Sequence, residues 1–155
     1  MKTLVIYYSY GHHTRDVAEM IEDRLSCDIE EILPVKPYTA IYQDLVNATE
    51  NNRETRKTPD IRPLKVDINN YDRIIIGTPV WWYTMAEPVR TFLMENDFSG
   101  KEILVYATDA GWIGTTFSDM QELIGENKIK TLDVKYSVDG ASRLTGDKAI
   151  EQFIG

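Results

Sequence analysis

The run Arg73-Ile74-Ile75-Ile76-Gly77, continued by Thr78-Pro79-Val80-Trp81-Trp82-Tyr83, decides how this chain folds. Three successive isoleucines leave no polar side for water, so the segment reads as a strand buried on both faces. Strands of that kind belong to parallel sheets, whose crossover connections lay helices over both faces. Ile103-Leu104-Val105-Tyr106-Ala107 repeats the pattern downstream, and Leu4-Val5-Ile6-Tyr7-Tyr8 repeats it upstream. Weaker strands are expected from Ile29 to Leu33 and from Val134 to Val138.

The intervening segments switch to helical period. Val17, Ala18, Ile21 and Leu25 recur three and four residues apart, as do Phe117, Met120, Leu123 and Ile124, and Ala149, Ile150, Phe153 and Ile154. Tyr38, Ile41, Tyr42 and Leu45 form a further amphipathic stripe, while Asn47 to Thr58 reads as polar surface. Val89, Phe92 and Leu93 mark a helix that Thr84 and Glu87 would open as a capping box, with Pro88 tolerated in its first turn. Five strands alternating with helices predict an α/β three-layer sandwich, a parallel sheet in the order 2-1-3-4-5 that forms one domain over residues 1–155. In such sheets ligands bind beyond the carboxyl ends of the strands, so the turns after Tyr8, Gly77 and Ala107 hold the candidate site.

Composition narrows the ligand. The 155 residues carry 17 Lys plus Arg against 25 Asp plus Glu, a formal net charge of −8. That balance disfavours nucleic acid and anionic membrane surfaces as partners. No stretch approaches the ~18 apolar residues of a membrane span, and a cytoplasmic location is expected. The single cysteine, Cys27, excludes an intrachain disulfide and a thiolate metal cluster.

The three turns are unusual in what they contain. Ser9-Tyr10-Gly11-His12-His13-Thr14 holds both histidines and leads directly into a helix. Free amides at a helix N-terminus, with hydroxyls at either end, suit a phosphate group; a Ser/Thr-rich helix cap fits the same residues. The lysine of a P-loop and the three glycines of a dinucleotide fingerprint are absent. Thr78-Pro79-Val80-Trp81-Trp82-Tyr83 places three large aromatics where a loop is ordinarily polar. Thr108-Asp109-Ala110-Gly111-Trp112-Ile113-Gly114 adds the third tryptophan. Aromatic faces suit a flat guest, although at least one tryptophan is expected to pack beneath a helix. A ligand with a phosphate at one end and a planar heteroaromatic ring at the other would use all three turns.

These residues resemble the flavodoxin superfamily, and in particular short bacterial flavodoxin-like proteins that bind FMN. The first turn is similar to that group's Ser-x-Thr-Gly-x-Thr loop at Ser9 and Thr14, and residues 77–93 are similar to its Gly-Thr-Pro-x-Trp-Trp stretch and following helix. Gly11 and His12 stand where the family has Thr then Gly, and Tyr83 stands where it often has Gly. The resemblance implies a flavodoxin-like fold with FMN as cofactor. Ser9, Tyr10, Gly11, His12, His13 and Thr14 would hold its phosphate; Thr78, Pro79, Val80, Trp81, Trp82 and Tyr83 would line its ring; Thr108, Asp109, Gly111, Trp112 and Gly114 would close over the pyrimidine side. It further implies an electron carrier with a reductase and an acceptor protein as redox partners, acting as a monomer or weak homodimer with no catalytic side chain. An FMN-dependent NAD(P)H:quinone-type oxidoreductase would use the same residues, while the altered first turn, Gly11-His12, is also compatible with a flavodoxin-fold interaction module that has lost its cofactor.

Overall fold

A computed structural model describes all 155 residues. Five parallel strands build the sheet: β1 (Thr3–Tyr7), β2 (Asp28–Glu31), β3 (Arg73–Trp81), β5 (Glu102–Asp109) and β6 (Ile129–Lys135). Their order is β2-β1-β3-β5-β6, and a two-residue strand, β4 (Thr84–Met85), pairs antiparallel with the end of β3. Apart from that hairpin, the order is the expected one.

Side-chain alternation sorts the strands' apolar residues to the two faces. Leu4, Ile6, Ile74, Ile76, Ile103 and Val105 pack on one side with Val89, Phe92 and Leu93 of α4 (Glu87–Glu95) and with Met120 and Ile124 of α5 (Thr116–Ile124). Val5, Tyr7, Ile75, Leu104 and Tyr106 pack on the other with Val17, Ala18 and Ile21 of α1 (His13–Leu25) and with Ile150, Phe153 and Ile154 of α6 (Asp147–Ile154). Two separate cores on one sheet are what the unbroken isoleucine run requires. No helix is long and apolar enough to cross a membrane.

Several local expectations change. The second strand starts one residue earlier than expected and ends at Glu31. The last strand lies earlier, at Ile129–Lys135, because its Lys-Thr-Leu-Asp-Val alternation suits a half-solvated sheet edge. Helix α2 covers only Tyr42–Thr49: Ile41 is its exposed N-cap, and Tyr38 leaves the stripe to pack against Tyr8 and Trp81. The polar stretch 47–58 is not all surface, since Thr49 is buried and Asn52, which opens the single turn α3 (Asn52–Thr55), is fully buried. The capping box does not form. Ala86 is the N-cap of α4, the Thr84 hydroxyl donates instead to Asp119 Oδ2 at 2.7 Å, and the Glu87 carboxylate accepts from the Tyr38 hydroxyl, also at 2.7 Å.

Candidate functional site

At the carboxyl edge of the sheet lies an open groove of about 460 Å³, lined by Tyr10, by Pro79 to Tyr83, by Asp109 to Trp112, and by one face of α2. The second and third turns therefore meet in one place, and the first contributes Tyr10. Two of the supposed turns are partly strand. β3 stays paired with β5 as far as Pro79↔Thr108 and with β4 through Trp81↔Thr84, which stiffens the groove floor.

The hairpin between β3 and β4 turns on two residues, Trp82 (φ 54°) and Tyr83 (φ 67°). Consecutive left-handed residues form the tight turn that normally calls for Asn-Gly, and for side-chain-bearing residues that backbone costs roughly 1–2 kcal/mol each. The surroundings hold it. Trp82 Nε1 donates to Thr49 Oγ1 at 3.1 Å, the Thr115 amide donates to the Tyr83 carbonyl at 2.8 Å, and Asn52 Nδ2 donates to the carbonyls of Trp81 and Met85 at 3.0 and 3.1 Å. Strain maintained by three separate anchors is the mark of a functional constraint.

The three tryptophans divide their roles. Trp81 meets Tyr8, Tyr10 and Tyr38 edge-on, at centroid distances of 5.5, 6.2 and 5.0 Å, and joins the sheet's core while showing part of itself to the groove. It is packed, but among the tyrosines of the first turn and the α2 approach, not beneath a helix as expected. Trp82 borders the groove at the α2 side, and Trp112 stands 63% exposed against Tyr83, with ring centroids 5.2 Å apart. Together Tyr83 and Trp112 make an aromatic lip that water covers on its outer side.

The first turn has the form of an anion cradle. Ser9 Oγ accepts from the Arg15 amide at 3.2 Å, whereas the amides of His12, His13 and Thr14 donate to no protein group. Unpaired amides at the start of a thirteen-residue helix carry the positive end of its dipole. His12 is exposed and pairs with Asp16 at 2.8 Å. His13 stacks on Tyr136 at 3.8 Å and donates through Nε2 to the Gly140 carbonyl at 2.9 Å, which fixes its tautomer. It braces the loop after β6.

Other candidates sit below the surface. Thr14 and Thr108 are buried and share a hydrogen bond of 2.8 Å, tying the first turn to the third. Thr78 is fully buried, accepting from the Ala86 amide at 3.1 Å and donating to the Pro79 carbonyl. Gly114 is pressed against Tyr83, whose carbonyl would lie 2.4 Å from any Cβ added there. These four shape the walls of the site and do not face the groove. Asp109 does line it, held by Lys135 Nζ at 2.5 Å and by the Gly111 amide at 3.1 Å. Burial, with Asp133 beside it, pushes its carboxyl up to about 6 in spite of Lys135.

The wall formed by Tyr42, Leu45, Val46 and Thr49 was missed from sequence, because an amphipathic stripe does not say whether its apolar face meets a core or a ligand groove. Asn52 was missed as well, since nothing around it in the polar run 47–58 sets one asparagine apart.

The model of the flavodoxin family matches residues 2–137. Among solved structures, a candidate flavoprotein from Bacteroides eggerthii is 26% identical and superposes with a TM-score of 0.78, covering 99% of this chain and 95% of that one. A flavoprotein of Lactobacillus acidophilus in complex with FMN is also 26% identical, with a TM-score of 0.72 over 85% of this chain and 91% of that one. Oxidised flavodoxin 2 from Bacillus cereus, 16% identical, shares the fold over 99% of this chain and 93% of its own with a TM-score of 0.58.

Proposed function

We propose, because the chain belongs to the flavodoxin family, that it binds FMN non-covalently in this groove and serves as an electron carrier between a reductase and an acceptor protein. The observation that carries the reading is that an amide cradle at the start of α1 and an aromatic groove at the end of β3 and β5 stand at the same edge of the sheet, with Tyr10 of the cradle's turn in the groove lining, the two chemistries that one phosphate-bearing flat ligand needs. The amides of His12, His13 and Thr14 bind the phosphate without a lysine, which suits a chain of net charge −8. Trp82, Tyr83 and Trp112 would border the ring on the groove's rim, while Trp81 would support the floor. Bound FMN supplies the redox chemistry itself. The chain's residues orient the ring, exclude water from part of it and leave its edge near Tyr83 and Trp112 open to a partner.

That open lip also favours a second reading, an NAD(P)H:quinone-type reductase, since a flat substrate could lie between Tyr83 and Trp112 and the ring. Titration with FMN, followed by quenching of its fluorescence, tests the shared premise: saturable quenching is expected, and its absence would overturn both readings. With FMN bound, NAD(P)H consumed steadily in the presence of a quinone and without added reductase would favour the enzyme over the carrier.

A further inference from the structure

On the far wall of the groove Asp109, and behind it Asp133, are carboxylates that lack something. Asp109, at the end of β5, has a side chain only 6% exposed, and its Oδ2 is buried without a hydrogen-bond partner. Asp133 on β6 has the same defect at Oδ1. Their other oxygens share a single cation, since Lys135 Nζ lies 2.5 Å from Asp109 Oδ1 and 3.2 Å from Asp133 Oδ2; the Gly111 amide also donates to Asp109 Oδ1, and Lys135 to the Gly111 carbonyl. The register explains the meeting: Asp109 is paired with Lys135 across the two strands, and Asp133, two residues before Lys135, projects from the same face.

Two carboxylates gathered on one ammonium, each with a buried oxygen that can only accept and has no partner, are costly to leave both ionised. A proton between them removes both problems at once, making one carboxyl the donor to the other.

We propose that Asp109 and Asp133 share one proton, and that this pair is a proton-exchanging site for the groove, taking up a proton when negative charge is added to the ligand beside it. The second half rests on the FMN reading given above. An electron delivered by the partner protein adds one negative charge to the groove; a proton from solvent, bonded to a carboxylate oxygen of the pair, cancels it, and no other bond changes. The charged groups acting on Asp109 are Asp133 and Lys135, both from β6. The adjoining loop, Ala110 to Gly114, has no ionisable side chain, and the phenols of Tyr10, Tyr42 and Tyr83 complete the titratable groups on the groove wall. The direction of Asp109's shift, upward through burial and Asp133, agrees with the shared proton.

Carbon-13 NMR of the aspartate side chains in flavin-free protein tests the pair without any cofactor. In the wild type Asp109 is expected to titrate near 6; in Asp133→Asn its midpoint should fall by a unit or more, toward the ordinary value of about 4. An unchanged midpoint in that variant, or an Asp109 midpoint near 4 in the wild type, would overturn the shared proton. With FMN bound, the potential of the wild type should fall more steeply with pH, from about pH 6 upward, than that of Asp133→Asn. Equal slopes would overturn the uptake. A protein that titrates as expected yet binds no FMN would instead overturn the flavin reading and leave the pair standing.

Discussion

A buried acid that keeps its proton affects stability as well as the groove, and the sign can be worked out. The folded value for Asp109, about 6, lies above the unfolded one near 3.8. Its contribution to stability is therefore fully present below the unfolded value and is lost as pH rises through about 6. Urea unfolding midpoints are expected to decline between about pH 4 and pH 6.5, and Asp109→Asn, which cannot titrate, should flatten that decline. Gly77 is a second position where one atom decides. Tyr106, fully buried, fills the space in which an alanine Cβ would stand, with its Cζ only 2.2 Å away. Gly77→Ala is expected to cost about 3 kcal/mol in denaturant unfolding through overpacking, and the double variant with Tyr106→Leu should recover part of it. The glycine is plain in the sequence as the end of an apolar run; the tyrosine it accommodates is 29 positions away and reaches it only because β3 and β5 pair Gly77 with Tyr106.

At the scale of elements, the sheet was legible and the hairpin was not. Isoleucine runs announce buried parallel strands because no other packing hides both faces, and the helix stripes followed from their spacing. Trp82-Tyr83 gives no turn signal, since the residues that favour a left-handed pair are Asn and Gly. The turn exists because Asn52, Thr49 and Thr115 hold it from outside, and those contacts join segments about 30 residues apart. Two predictions separate strain from support. Tyr83→Gly relieves one left-handed side chain and should raise unfolding stability by about 1 kcal/mol, while it weakens FMN binding by removing the partner of Trp112. Asn52→Ala leaves the carbonyls of Trp81 and Met85 without their donor and should lower stability by about 1–3 kcal/mol. Thermal unfolding of the two variants beside the wild type would show opposite shifts; a loss in both would mean that Tyr83 contributes more by packing than its backbone costs.

For the molecule as a whole, the acid excess that disfavours nucleic acid and anionic membranes also bears on the kind of protein partner the proposed carrier would meet. The cradle at α1 consists of backbone amides, so the proposed phosphate site needs no lysine or arginine and takes nothing from the chain's net charge of −8. A net charge of −8 on a small domain would steer a basic redox partner toward it, raising the rate of encounter far more than the affinity. This effect is long-ranged and is screened within about 10 Å at 0.1 M salt. Reduced protein mixed in a stopped-flow instrument with a basic haem protein should therefore transfer electrons at a rate that drops steeply as ionic strength rises, and an acidic acceptor should show the reverse trend. Reversing charge at exposed acids far from the groove should lower the rate with the basic acceptor in proportion to the net charge removed, leaving FMN affinity unchanged. Rates independent of salt with both acceptors would mean that docking is governed by Tyr83 and Trp112 alone, through apolar contact at the lip.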